Sequence, residues 1–146
     1  MPAAHQWIDE AEALRVRGVA YRFAIEEKAS GGFVGVAALM MLRDGTAELG
    51  YWLGRPYWGQ GFGREAVAAT VAFGKDILRL CTLQAIVYAE NTASVAVLRG
   101  QGFSEATYET INVPERGGAR LVRRFERDLR SKPKPSNVVP IAGRVA

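Results

Sequence analysis

Three glycines alternate along the stretch that joins an apolar segment ending at Leu53 to a helix-like pattern: Gly59, Gly61 and Gly63. A helix N-terminus has N–H groups without intrahelical partners and a partial positive charge. Glycines beside it let the backbone come close to an anion, and their alternation turns several amides toward one point. The pattern therefore favours a phosphate-binding loop. The alternative is a flexible connector that needs glycine only for positive φ angles.

Two common phosphate-binding motifs fit this stretch poorly. The motif GxxxxGK needs a lysine followed by Ser or Thr, and no lysine follows these glycines. The dinucleotide motif GxGxx(G/A) is present at residues 61–66, but it needs its first glycine directly after a strand. Residues 54–60 intervene here, so a dinucleotide-binding fold is the weaker alternative.

The hydrophobic spacing around this loop predicts the elements that position it. Helices are expected at residues 8–17, at residues 64–79 and within residues 90–103. Strands are expected at residues 21–27, 33–42, 47–53, 83–89, 107–113 and 119–129. The order α-βββ-α-β-α-ββ predicts an α+β (mixed α/β) domain.

The charge of the chain is concentrated at its C-terminal end. Residues 1–129 carry 15 basic and 15 acidic side chains, so the formal charge of +4 comes from Arg130, Lys132, Lys134 and Arg144. We therefore expect a domain over residues 1–130 that is close to neutral and a basic, proline-containing tail over residues 131–146. Because a nucleic-acid surface would concentrate Lys and Arg on the folded body, this distribution argues against a nucleic-acid partner.

The sequence carries few signals of an oxidising compartment or a membrane. Cys81 is the one cysteine, so the chain has no internal disulfide, as is typical of a reducing compartment. No apolar run approaches the roughly 20 residues that span a bilayer. The first residues lack the basic-then-apolar order of a signal peptide. We expect a cytoplasmic protein without a membrane partner.

Two motifs together resemble the GCN5-related N-acetyltransferases, the GNAT family, and within it the RimJ/RimL type that acetylates ribosomal-protein N-termini. The family pattern (Gln/Arg)-x-x-Gly-x-(Gly/Ala) aligns with residues 58–63, with Trp58 at its first position. The downstream segment AENTASVAVLRGQGF matches the branch at Asn91, Ser94, Gly102 and Phe103. The resemblance covers roughly residues 21–129 and implies a mostly antiparallel sheet flanked by helices, with one parallel strand pair that splays apart.

The resemblance implies acetyl-CoA as co-substrate and assigns residues to it. The backbone of Tyr51, Trp52 and Leu53 would pair with the pantetheine arm as a substitute strand. The remaining residues at the cofactor would be Trp58, Gly59, Gln60, Gly61, Phe62, Gly63, Arg64, Asn91 and Ser94. Arg64 as an ordinary solvated helix residue and Asn91 as a plain helix cap are the alternatives.

The implied reaction is direct transfer of an acetyl group to a primary amine, on a protein N-terminus or a small molecule. Glu48 would act as the base through water, the alternative being a surface carboxylate. Ser94 would donate a proton to the departing thiolate, the alternative being a capping hydroxyl. Leu98 occupies the position where many family members carry a tyrosine donor. Cys81 is interpreted as a structural residue, and no metal-ligand cluster is expected.

Three functions remain open from the sequence. The first is the acetyltransferase, and the second is a CoA-binding module without catalysis, as Leu98 would allow. The third is a ribosome- or RNA-associated factor that acts through the basic tail. The family normally has a strand and a helix before the region matched by HQWIDEAEALRV, so we expect an N-terminally short domain. Its uncovered edge strand favours a homodimer.

Overall fold

The computed structural model describes residues 2–130, which form one six-stranded sheet with three α-helices. The elements follow the order expected from the sequence. They are α1 (Pro2–Val16), β1 (Ala20–Glu26), β2 (Phe33–Met41), β3 (Thr46–Leu53), α2 (Phe62–Asp76), β4 (Thr82–Tyr88), α3 (Thr92–Gly100), β5 (Ser104–Val113) and β6 (Gly118–Asp128). Short 3₁₀ turns lie at Arg55–Tyr57 and Pro114–Arg116.

The strands lie in the order β1-β2-β3-β4-β6-β5. Every neighbouring pair is antiparallel except β3 and β4, which are parallel. The helix α2 makes the crossover that a parallel pair requires, since it connects β3 to β4. The predicted α+β class, with a mostly antiparallel sheet and one parallel pair, is confirmed.

Three helix boundaries differ from the sequence prediction by two residues or more. The helix α1 begins at Pro2 instead of residue 8, because proline is tolerated in the first helical turn, where its missing N–H would have no partner. The helix α2 begins at Phe62, two residues before the predicted Arg64. It ends at Asp76, because Arg79 adopts a left-handed conformation with φ of 55° that interrupts the helix.

The main core lies between the sheet and the helices α2 and α3. Alternate residues of the central strands point to this side, which is the period-2 pattern of a half-buried strand. Leu39, Leu83, Leu98 and Phe125 are fully buried there, and Val67 of α2 joins them. Each strand and helix around the parallel pair is therefore fixed by shared apolar contacts.

The helix α1 packs against β1 on the opposite face of the sheet. On β1, Phe23 contacts Phe73 of α2, so the alternating Arg22 points away from α2. The Arg22 guanidinium lies 5.2 Å from the centre of the Trp7 ring and 3.6 Å from Glu10, both on α1. None of the helices within residues 2–130 is both long and apolar enough to cross a membrane. The predicted tail, residues 131–146, lies outside the described residues.

Candidate active site

The parallel strands β3 and β4 are paired at only one end. Their ladder comprises Thr46–Thr82, Ala47–Leu83 and Glu48–Gln84. Beyond Glu48 the strand β3 continues to Leu53, paired only with β2, and β4 continues to Tyr88, paired only with β6. The two strands therefore enclose a cleft, defined here as the gap between residues 49–53 and residues 85–88. The splayed pair that the family resemblance implied is confirmed.

The glycine loop lies at the end of β3 and leads into α2. Gly59 and Gly61 have φ angles of 71° and 89°, which side-chain-bearing residues adopt only with strain. Gly63 differs from them, because it lies within the first turn of α2 and is buried. A Cβ atom on Gly63 would lie 3.3 Å from the Tyr51 ring, so a side chain here would push this ring by a few tenths of an ångström. The loop therefore ends at Gly61, two residues earlier than the sequence predicted.

The backbone amides around this helix start have no acceptor in the part of the chain that the structure describes. Among residues 2–130, the N–H groups of residues 59–64 donate to no recorded backbone or side-chain acceptor. The first amide that finds one is Glu65 N–H, which donates to Gly61 O at 3.1 Å. The cap residue Gly61 has no side chain to occupy the helix N-terminus. These free donors and the helix dipole suit a phosphate group.

Side chains of the loop brace its own backbone. The Trp58 Nε1–H donates to Leu53 O at 2.9 Å, and Gln60 Nε2 donates to Pro56 O at 2.6 Å. Trp58 therefore has a structural contact at the position where the family pattern has Gln or Arg. The carbonyl of Leu53, a residue predicted to contact the pantetheine arm through its backbone, therefore already accepts one hydrogen bond.

Other predicted cofactor residues lie around the same loop. Phe62 makes an edge-to-face contact with Tyr57 at 5.7 Å between ring centres. Trp52 points to the face of the sheet opposite Tyr51, where the Trp52 ring lies 5.8 Å from the Phe33 ring. Arg64 is exposed as the third residue of α2, not the first, so its guanidinium is accessible beside the free amides.

The start of α3 places Ser94 beside the cleft. The Asn91 side chain caps this helix, because its Oδ1 accepts the backbone N–H of Ser94 at 3.1 Å. The Ser94 hydroxyl is not a cap, since its Oγ lies 2.9 Å from the Tyr51 hydroxyl, within hydrogen-bond distance. The helix α3 follows β4 and Tyr51 is on β3, so this hydrogen bond spans the cleft. Burial raises the pKa of the Tyr51 phenol, and the hydrogen bond between Tyr51 and Ser94 partly offsets the rise.

Glu48 lies where the parallel pairing ends. It is half-buried, and within residues 2–130 no cation or hydrogen-bond donor is recorded beside its carboxylate. Strand alternation points Glu48 to the face opposite Tyr51 and Ser94. The cleft therefore has a carboxylate available on one face and a hydroxyl pair on the other.

Two further sequence interpretations concern buried positions. Leu98 is fully buried in the core, so the position that the family resemblance aligns with a tyrosine carries an apolar side chain. Cys81 is half-buried, and its backbone N–H donates to Gly45 O at 2.8 Å, which agrees with a structural role. Among residues 2–130 the structure contains no group of three or more His, Cys, Asp or Glu side chains that could hold a metal ion.

The sequence interpretation missed the phenol of Tyr51. It assigned this residue only backbone contacts, because the partner Ser94 is 43 positions away. A signal was present in the alternation of β3, which places Tyr51 on the same face as the buried Ala47 and Leu49. That face is the one covered by α2 and α3.

Comparison with known proteins identifies the family. A family model described as an acetyltransferase (GNAT) domain matches residues 1–104. This chain belongs to the GNAT family. The uncharacterized N-acetyltransferase p20 of Bacillus licheniformis is 36% identical over 104 residues, which are 70% of this chain and 58% of that protein. The chain thus spans little more than half the length of this relative.

Solved GNAT-fold structures align with most of the chain. A protein from Vibrio cholerae, provisionally assigned as a ribosomal-protein-serine acetyltransferase, is 28% identical with a TM-score of 0.72, covering 86% of this chain and 73% of that one. The spermidine N-acetyltransferase of Vibrio cholerae, in complex with CoA and spermine, gives a TM-score of 0.73. It is 20% identical, and the alignment covers 86% of this chain and 75% of that one. At that identity the likeness shows the fold alone.

Proposed function

We propose that this GNAT protein transfers an acetyl group from acetyl-CoA directly to a primary amine. The observation that carries the proposal is the cleft between β3 and β4, which opens beyond Glu48 beside the free amides of the α2 N-terminus. A strand edge without a partner, next to an anion site, suits an extended molecule that ends in phosphates. Acetyl-CoA has this shape and supplies the acetyl thioester.

The residues present fit this co-substrate. The amides of residues 59–64 would hold the pyrophosphate, and the exposed Arg64 would add a positive charge. The unpaired edge of β3 over Tyr51–Leu53 would bind the pantetheine arm. Asn91 would act indirectly, because it holds the first turn of α3 and therefore Ser94.

The two proposed catalytic groups have complementary chemistry. Glu48 would take a proton from the incoming ammonium through water, because its carboxylate has no other recorded partner within residues 2–130. Ser94 would donate a proton to the departing thiolate from the helix side of the sheet. The positions of these groups on opposite faces support an acceptor amine that approaches from the Glu48 face.

The acceptor class rests on the family and on its relatives. One similar structure is assigned to ribosomal-protein serine acetylation, and another binds spermine. We propose a primary amine on a protein N-terminus or a small molecule, as in the RimJ/RimL type. The homodimer and the cytoplasmic location stay predictions. The RNA-associated alternative depends on residues 131–146, which lie outside the described part of the chain.

The second candidate is a CoA-binding module without catalysis. The observation that favours it is the burial of Leu98, since this position offers no proton donor. It differs from the enzyme in one measurable way, because it predicts CoA binding without release of thiol in the presence of an amine.

Calorimetric titration with acetyl-CoA tests the cofactor site. Wild-type protein is expected to bind saturably, and Gly61→Glu is expected to abolish binding, because φ of 89° is strained for glutamate and its charge repels phosphate. Gly18→Glu is the matched control, since Gly18 has φ of 66°, is exposed and lies before β1, away from the loop. Binding that persists in Gly61→Glu, or is absent in wild type, would contradict the proposal.

A thiol-release assay with a panel of primary amines then separates the two candidates. Amine-dependent release of CoA supports the acetyltransferase. Saturable binding without release from any amine would leave the CoA-binding module as the function.

A further inference from the structure

The ring of Tyr51 lies between the starts of the two helices that flank the cleft. On one side it packs under the first turn of α2, where a Cβ atom on Gly63 would lie 3.3 Å from Tyr51 Cε2. On the other side its hydroxyl lies 2.9 Å from Ser94 Oγ in the first turn of α3. One side chain thus connects the proposed phosphate site with the proposed proton donor.

We infer that Tyr51 is a positioning residue for catalysis, which donates its phenolic proton to Ser94 Oγ and so directs the Ser94 hydroxyl proton toward the departing sulfur. The inference rests on the proposed acetyltransferase function. Either hydroxyl of the pair could donate on geometry alone. A phenol is a stronger acid than an aliphatic hydroxyl, so Tyr51 is the better donor.

The direction of this hydrogen bond decides what Ser94 can do. If Ser94 donated to Tyr51, its only proton would be used and none would be left for the sulfur. If Tyr51 donates, Ser94 Oγ accepts on one side and keeps its own proton for the other. Burial of Tyr51 favours the neutral phenol, because its pKa is raised above the ordinary value of 10.0.

The proton balance is complete with these residues and water. Glu48 or solvent takes the proton that the ammonium must lose before its nitrogen attacks, and solvent takes the second proton that this nitrogen loses as the amide forms. Ser94 passes its hydroxyl proton to the sulfur as the C–N bond forms and the C–S bond breaks. Tyr51 keeps its hydrogen bond to Ser94 throughout, and Ser94 recovers its hydroxyl proton from solvent. The net result is one amide, one thiol and one proton released.

A double-mutant cycle tests whether Tyr51 acts through Ser94. Tyr51→Phe is expected to lower kcat about 10-fold, the effect of one hydrogen bond, with little change in the KM for acetyl-CoA. Ser94→Ala is expected to lower kcat about 100-fold. The double variant should be no slower than Ser94→Ala alone, because Tyr51 then has nothing to position. Effects that multiply would overturn the inference.

Tyr21→Phe is the matched control for the loss of a hydroxyl. Tyr21 is half-buried on the same face of the sheet, and its ring contacts Phe73 instead of Ser94. It should keep wild-type kcat and stability. A kcat of Tyr51→Phe equal to that of Tyr21→Phe would overturn the inference while leaving the proposed function intact. Absence of turnover in wild-type protein would instead overturn the proposed function and this assignment together.

A titration that needs no turnover tests the pair itself. When Tyr51 loses its proton, Ser94 turns to donate to the phenolate, and this lowers the Tyr51 pKa against the effect of burial; Ser94→Ala should therefore raise it further. The shift is measured by NMR of protein labelled with ¹³C at tyrosine Cζ, with Tyr51→Phe identifying the signal. An unchanged Tyr51 pKa in Ser94→Ala would overturn the pairing and with it the inference.

Discussion

At the scale of single residues, the cleft combines the Glu48 carboxylate, which has no partner within residues 2–130, with the hydrogen-bonded hydroxyls of Tyr51 and Ser94. The carboxylate of Glu48 has no ion pair or hydrogen bond within residues 2–130, whereas that of Glu105 is held by Arg99 and Arg123. The guanidinium of Arg123 lowers the pKa of Glu105, which is the usual state of a structural ion pair. The Glu48 carboxylate has no such ion pair within residues 2–130, which suits a group that must accept a proton.

Replacing Glu48 with glutamine tests this assignment. Glu48→Gln keeps the shape of the side chain but cannot take a proton, so kcat/KM for the amine should fall about 100-fold. Steady-state thiol release measures the change, and calorimetry should show unaltered acetyl-CoA binding. Glu26→Gln is the control, because Glu26 is an exposed strand glutamate at the end of β1. Equal rates for the two variants would exclude Glu48 as the base.

At the scale of elements, the two helix starts on either side of the cleft differ in their caps. The helix α2 begins after Gly61 without any side-chain cap, whereas α3 begins after Asn91, whose side chain is a cap. Free amides at α2 are available for a ligand, and the capped amide at α3 serves to hold Ser94. A helix N-terminus is therefore available for ligand binding at α2, whereas at α3 it positions Ser94.

Removal of the α3 cap should affect both stability and turnover. Asn91→Ala is expected to cost about 1 kcal/mol of unfolding free energy, as is usual for a lost N-cap, and to lower kcat because the first turn of α3 loosens around Ser94. Urea denaturation and thiol release measure the two effects. Asn91→Asp is the control, since aspartate caps equally well. A stable but slow Asn91→Asp would show that the amide has a separate role at the ligand.

At the scale of the whole molecule, the position of the cleft depends on the packed core beneath it. Phe125 of β6 is fully buried, pairs with Ala85 of β4 and joins the core shared with α2 and α3. The strand β4 is thus held against β6 along Thr82–Tyr88 while it leaves β3 after Gln84. Loss of this core would remove the separation of the two strands.

Truncation of Phe125 should therefore destabilise the entire domain. Phe125→Ala is expected to cost about 3–5 kcal/mol, a large share of the roughly 5–15 kcal/mol that stabilises a domain. Leu121→Ala on the same strand is the control, and it should change stability by less than about 0.5 kcal/mol because Leu121 is 47% exposed. Urea denaturation gives both values, and similar losses in the two variants would contradict the assigned core.

Several features of this protein follow from local sequence alone. The order of helices and strands, the glycine loop before α2 and the Asn91 cap all depend on neighbouring residues, through side-chain periodicity, the φ angles open to glycine and short-range hydrogen bonds. The family resemblance added the splayed strand pair, which the structure confirms. The errors at α2 were also local: the helix starts two residues early, so Gly63 is a packing residue in place of a loop residue.

The remaining features were decided by tertiary structure. The Tyr51–Ser94 hydrogen bond joins residues 43 positions apart, and no local pattern fixes the distance between β3 and the start of α3. Tertiary structure also decided the hydrogen bond from the Trp58 indole to Leu53 O. It likewise decided that Glu48 and Ser94 lie on opposite faces of the sheet. A sequence specifies which side of a strand a residue occupies, but only the order of strands in the sheet and the packing of the helices onto it bring two such residues together.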